Sequence, residues 1–161
     1  MKAQMKALSL WQPWASLVAV GAKRVETRSW SVDHRGPLAI QASAEAAHLH
    51  LAQGEPFRSL LLAAGLDPLN LPLGRILATC FLSAIMPMGA ELPQLSAQEL
   101  SLGDYSLGRF AWFLAEQRRL VDPVPAVGHQ GLWNWEIPRG LIISTVPAAW
   151  LPKSDVDGPL H

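Results

Sequence analysis

The sequence predicts an α+β fold in which a small mixed or antiparallel sheet curls into a β-barrel carrying a few flanking helices. Three observations predict it. Strand-like segments recur at irregular spacing along the 161 residues, and only two or three short helical patterns interrupt them. Half the residues are apolar and 16% are charged, the composition of a chain that folds around a core rather than staying disordered. At this length, burial of roughly two-thirds of the unfolded chain's surface is expected, so no disulfide or metal is required for folding.

The elements follow in order. Ala7-Leu8-Ser9-Leu10 alternates as a strand does. Gln12-Pro13 places proline where a first helical turn tolerates the missing N–H, and Trp14, Leu17 and Val18 follow at helical spacing. Gly21 then stands where a helix ends in a left-handed residue. Residues 24–30 form a strand with Arg24, Glu26, Arg28 and Trp30 on one face, too charged for a core, and Val25, Thr27 and Ser29 on the other. A turn at 33–37 leads into a strand at 38–43 whose Leu38, Ile40 and Ala42 face inward, and Ser43 is placed to cap a helix beginning AEAAHLHLA. A short helix at 57–64 is ended by Gly65, and 75–82, apolar on both faces, suits a central strand. Ser96 caps a possible helix AQEL, 109–120 is a long strand, and Leu132–Glu136 closes the sheet. Trp14 and Trp112 are expected in the core. Residues 1–137 are read as one domain and 138–161 as a C-terminal extension packed on it.

The formal net charge is zero, which argues against a protein that coats nucleic acid by bulk electrostatics. Its distribution is uneven. Residues 1–40 carry six basic and two acidic side chains, residues 41–161 seven basic and eleven acidic, so an anionic ligand is expected to meet the N-terminal quarter. The single cysteine, Cys80, fits a reducing, cytoplasmic setting. Lys2 and Lys6 before ALSLWQPWASLVAVGA resemble a secretory leader, but Gln12-Pro13 interrupts the apolar run. That run also falls short of the roughly 18 unbroken apolar residues a membrane span needs, so no membrane association is expected.

The strongest chemical cluster is Lys23, Arg24, Glu26 and Arg28, with Arg35 a turn later. A solvated edge strand with weak ion pairs would read the same way. Cations interleaved with Trp11, Trp14 and Trp30 favour single-stranded nucleic acid, with arginines on phosphates and bases on indoles. Trp30, sharing the charged face, is the stacking candidate. Glu26 beside Lys23 also permits enzymatic chemistry, because a lysine whose pKa falls through burial or neighbouring cations acts as base or nucleophile. Gly128-His129-Gln130-Gly131 is either a loop that closes on a ligand or an ordinary turn before the last strand. His48 and His50 are spaced to point apart on a helix, so no metal site is expected, and no cofactor motif is present.

Two longer patterns carry a resemblance. LSLWQPWASLVAVGAKRVETRSW followed by HRGPLAIQAS resembles the opening of the ASCH domains, the activating signal cointegrator homology family: QPWA, a small helix, G-x-K-x-x-E-x-R-x-W, then RG and a strand ending A-S. Gly108-Arg109-Phe110-Ala111-Trp112-Phe113-Leu114 and the stretch from Pro123 to Trp133 are similar to small bacterial members. The resemblance covers roughly residues 5–136. It implies a PUA-like β-barrel with a cleft suited to RNA. It also implies, for some small members, an amidohydrolase that deacetylates N4-acetylcytidine through a lysine, a threonine and a glutamate, and for others a ribonuclease. Lys23 matches that lysine. Glu26 stands where the threonine would be, Thr27 is one position out of phase, and no residue of this sequence is identified with the glutamate.

The expected function is therefore RNA binding in a cleft between the 23–30 strand, the Arg35-Gly36 turn and the 128–131 loop. Arg28 and Arg35 would contact phosphate, Trp30 would stack on a base, and Gln12 and Gln130 would read a base edge; Lys23, Arg24 and His129 complete the binding set. Glu26 would orient Lys23 and Arg28. The alternative is an amidohydrolase on an N4-acylated cytidine-type nucleoside, or a ribonuclease, with Lys23 and Glu26 at its centre. The partner is RNA, another single-stranded nucleic acid or a modified nucleoside. A protein-interaction domain is the third possibility, signalled by an apolar patch on the 139–161 tail.

Overall fold

The computed structural model describes residues 3–89 and 94–141. Most of the 138–161 extension, including Trp150, lies outside them. Six strands form one mixed sheet: β1 (Gln4–Leu10), β2 (Val25–Arg28), β3 (Gly36–Ala42), β4 (Arg75–Pro87), β5 (Phe110–Pro125) and β6 (Leu132–Glu136). Their order is β2-β5-β4-β3-β1-β6. Only β1 and β3 run parallel, because helix α1 (Trp14–Ala19) and β2 lie between them in the chain; the other neighbours are antiparallel.

The expected α+β class is found. The sheet curls as a barrel does without a hydrogen-bonded closure between β2 and β6 among the described residues. Register shifts along β4 and β5 supply the bend, and Glu116, with φ 53°, takes the left-handed conformation at one of them. The curl returns β2 to β1, where the Arg28 guanidinium donates to the Ser9 carbonyl at 2.8 Å.

One sheet face carries the main core: Leu8, Leu10, Leu38, Ile40, Cys80, Leu82 and Trp112, covered by Ala15, Val18 and Ala19 of α1. The other face buries Ala7, Ala39, Ile76, Leu120, Trp133 and Trp135. Trp133 and Trp135 alternate with exposed Asn134 and Glu136 and pair opposite Ala7 and Met5, so one strand pattern fixes both burial and register. A satellite cluster joins Leu17 of α1 to Phe57 and Leu61 of α2 (Phe57–Ala63). Gly21 and Gly65, both at φ 80°, end their helices as the sequence indicates.

Two expectations are corrected. No α-helix follows Ser43. Its hydroxyl accepts from Glu45 N and the Glu45 carboxylate from Ala47 N, local turns that compete with a helix, and only a 3₁₀ segment forms at Leu49–Gln53. The strand expected at 24–30 is shortened to Val25–Arg28, and on its charged face Arg24 is exposed, Arg28 half-buried and Glu26 only 8% exposed. Trp112 is buried as expected, whereas Trp14 is only partly so; it donates Nε1 to the Leu102 carbonyl and meets Phe57 edge-on. No helix among the described residues is long and apolar enough to cross a membrane.

Candidate functional site

A cleft of about 1790 Å³ opens where the end of β1, the start of α1, β2, the 101–104 segment and the 125–131 loop converge. It exceeds the roughly 300–1,000 Å³ of a typical small-ligand pocket. Its charged lining is Lys23, Glu26, Arg28, Asp104 and Arg109, and its rings include Trp11, Trp14 and Trp30. With three cations and two carboxylates it is only weakly basic.

Its floor is a buried ionic cluster. Lys23, 1% exposed, follows α1 directly and turns inward because its N–H bonds back to the Leu17 carbonyl. Its ammonium donates to the Val25 carbonyl and lies 3.8 Å from a Glu26 oxygen and 4.0 Å from one of Glu99. Burial lowers its pKa, and the two carboxylates oppose that fall without cancelling it. Glu26 also faces Arg28 Nε at 3.7 Å.

Glu99 has no counterpart among the sequence-predicted residues. It sits on α3 (Ala97–Ser101), which the Ser96 hydroxyl caps by accepting from Glu99 N. Its carboxylate accepts from Arg24 N at 2.9 Å and Val25 N at 3.3 Å, pinning α3 to the start of β2. Gln117, buried beside Glu116, adds a bond from Nε2 to the Lys23 carbonyl. Tyr105 sits above the same carboxylates; burial first, then Glu99 and Glu26, hold its phenol well above the ordinary tyrosine range. The Tyr105 hydroxyl and Arg28 Nε are both buried without a hydrogen-bond partner among the described residues.

The 128–131 loop is seated by close contact. The Ser9 hydroxyl donates to Gln41 Oε1 at 2.6 Å, Gln41 Nε2 to the Ala126 carbonyl, and Trp133 Nε1 to Ser9 Oγ. Gly128 rests on this network so tightly that a Cβ would stand 2.2 Å from Gln41 Oε1. His129, against Trp133, and Gln130 are thereby exposed at the cleft rim.

Of the predicted residues, the structure gathers Lys23, Glu26, Arg28, Trp30, His129 and Gln130 around this cleft. It places three elsewhere. Gln12 is fully buried, with its amide bonded to Ser16 and the Pro72 carbonyl. Arg24 is exposed, with Nε on the Gly21 carbonyl. Arg35 is exposed and donates to the Val32 and His34 carbonyls, and neither it nor Gly36 lines the cleft. No group of three His, Cys, Asp or Glu side chains capable of holding a metal gathers among the described residues.

Comparison with known proteins comes at two levels. Activating signal cointegrator 1 of Homo sapiens is 60% identical over 38 residues, and that of Mus musculus 61% over 36. These matches cover 24% and 22% of this chain but only 6% of each relative's length. The crystal structure of ASCH from Zymomonas mobilis superposes with a TM-score of 0.46 at 14% identity, covering 83% of this chain and 87% of that one. The ASCH domain itself matches residues 8–124, from within β1 to the end of β5, and the chain belongs to the ASCH domain family.

Proposed function

We propose that this chain binds RNA, single-stranded or locally unpaired, in the cleft above Lys23. The observation that carries the reading is the lining: two arginines, Arg28 and Arg109, and three indoles surround one cavity larger than a small-ligand pocket. Arg28 has a buried Nε without a hydrogen-bond partner, and its guanidinium lies 5.7 Å from the centre of the Trp30 ring. The exposed His129 and Gln130 stand at the rim, where Gln130 reaches a base edge. Because the cleft is only weakly basic, affinity comes from a few placed contacts.

The test is fluorescence anisotropy of a labelled single-stranded RNA across a salt series. Two phosphate-contacting arginines give a slope of log K against log salt of about −1.4, at roughly 0.7 per contact on a single strand. Arg28→Ala brings that to about −0.7 and weakens binding. It also loses the guanidinium's bond to the Ser9 carbonyl, worth about 1.5–3 kcal/mol for a charged donor, below the roughly 5–15 kcal/mol of a typical domain, so the protein stays folded. No binding at tens of micromolar, or a melt collapsed by Arg28→Ala, overturns the reading.

One observation favours a second reading, hydrolysis of an N4-acylated cytidine. Lys23 carries a lowered pKa between two carboxylates, and Glu99 is a buried carboxylate where the sequence offered none. In that reaction water adds to the acyl carbonyl and the C–N bond breaks, leaving a carboxylate and the free exocyclic amine; Lys23 serves as base or nucleophile. Incubation with N4-acetylcytidine, followed by detection of acetate, decides it.

A further inference from the structure

RNA binding in this cleft leaves open which ring a base meets. Trp30 is partly buried, edge-on to Trp112 at 4.9 Å and 81°, and flanked by Arg28. Trp14 is held by Leu102, Phe57 and His48. Trp11 differs from both. It is 50% exposed, yet its indole is stacked on the His48 imidazole at 4.2 Å and 16°. His48 is itself flanked edge-on by Trp14 at 5.9 Å and 64°. With one indole face covered, half of the residue's surface can remain open only if the opposite face is available, and that residue lines the cleft.

We propose that Trp11, backed by His48, is the platform on which an unpaired base of the bound RNA stacks, in place of Trp30. The inference rests on the RNA-binding reading of the same cleft and adds the subsite that reading lacks. A ring already immobilised from behind loses little conformational freedom when a base settles on its free face. A base, flat and π-rich, extends the His48–Trp11 stack by one layer. The occupant is a nucleotide rather than an apolar side chain because Arg28 and Arg109 share the cavity and suit the phosphates on either side of such a base. A purine, with the larger overlap, is favoured over a pyrimidine.

The experiment compares wild type, Trp11→Ala, Trp11→Phe, Trp30→Ala and Arg28→Ala on single-stranded RNAs carrying one abasic position moved along the strand. Trp11→Ala should weaken binding on the order of 5- to 150-fold, the range for loss of one stacked base. Trp11→Phe should retain most of the affinity, and Trp11→Ala should melt close to wild type because the ring is half exposed. In wild type one abasic position should weaken binding, and in Trp11→Ala that penalty should vanish, since the base and its platform form one interaction. If Trp11→Ala binds as wild type while Arg28→Ala weakens, the platform is wrong and RNA binding stands. If the abasic penalty vanishes instead in Trp30→Ala, the base sits on Trp30. If wild type binds none of these RNAs, both readings fall together.

Discussion

Glu99→Ala is the most incisive change to the site, because one carboxylate holds α3 to β2 and compensates Lys23. Alanine leaves Arg24 N and Val25 N without their acceptor. A buried unsatisfied donor costs about 1–3 kcal/mol; Val25 N is buried and takes that in full, while water reaches the exposed Arg24, so about 2–4 kcal/mol is expected in all. At roughly 2–4 °C per kcal/mol for a chain of this size, the melting temperature falls by about 4–16 °C. Glu99→Gln keeps one oxygen acceptor but turns an amide nitrogen toward the other N–H and removes the charge, so its loss is smaller than alanine's without vanishing, and pH should distinguish it. Lys23 has a pKa already below its unfolded value, with Glu99 among the groups resisting the fall. Between the folded and unfolded pKa the folded chain binds fewer protons than the unfolded one, so Lys23's contribution to stability rises with pH in that window. Glu99→Gln lowers the folded pKa further and opens the window earlier. The deficit of Glu99→Gln should therefore be largest below the folded pKa of Lys23 and shrink as pH rises through it toward the ordinary lysine value, as folded Lys23 loses its proton in both proteins. Thermal melts of the three proteins across that range measure it. Equal melts for Glu99→Ala and wild type, or a Glu99→Gln deficit that grows with pH, would refute the reasoning.

Two further predictions concern the sheet and the loop. Gly128→Ala puts a Cβ against Gln41 Oε1 and, at 2.6 Å, Ser9 Oγ, so the loop lifts and takes His129 and Gln130 with it. RNA affinity should fall markedly while the melt loses only what one or two hydrogen bonds supply, about 1–3 kcal/mol; unchanged affinity would free the loop of any role in binding. Cys80, 5% exposed with its thiol pushed up by burial to about 12, should resist a thiol reagent in the folded protein at pH 8 and react fully once denatured. Rapid modification of the native protein would contradict the burial.

Much of the sheet was legible because local pattern and tertiary burial agree. Trp133 and Trp135 alternate into one buried row, β4 is apolar on both faces because it lies inside the sheet, and Gly21 and Gly65 end helices where only glycine is comfortable. The site was legible in the span from Lys23 to Trp30, where neighbours in sequence are neighbours in space, and in the glycine-flanked His129-Gln130 loop. Glu26 lies beside Lys23 and Arg28 as expected, but nothing local shows that a helix more than 70 residues away is bonded to the start of the same strand. That helix left one trace: Ser96 and Glu99 have the S-x-x-E spacing of a capping box, yet Glu99 gives its carboxylate to β2. Gln12, a polar residue beside a tryptophan, carries no mark that separates a base reader from a buried strut, and the bonds to Ser16 and Pro72 make the distinction.

Lys23 is where binding and chemistry part physically. As a fastener between β2 and α3 a buried ammonium is inefficient, because its desolvation outweighs both carboxylates, and apolar replacements of buried ion pairs are often neutral or stabilising by about 1–4 kcal/mol. Coating a phosphate backbone does not require it either, since exposed arginines suffice. The group gains a purpose from the cleft above it, yet access is narrow. Gly103 seats its backbone so close that a Cβ there would lie 3.4 Å from the ammonium and 3.0 Å from the Tyr105 ring. A ligand that leaves this segment in place meets the arginines, the indoles and Glu26, and feels Lys23 only through its field. One that makes a bond to Lys23 has to reach a side chain only 1% exposed, packed beside Gly103 and held by Glu26 and Glu99. Of the two proposals, RNA binding asks no change of this ionic floor, whereas hydrolysis asks that a buried ammonium be uncovered.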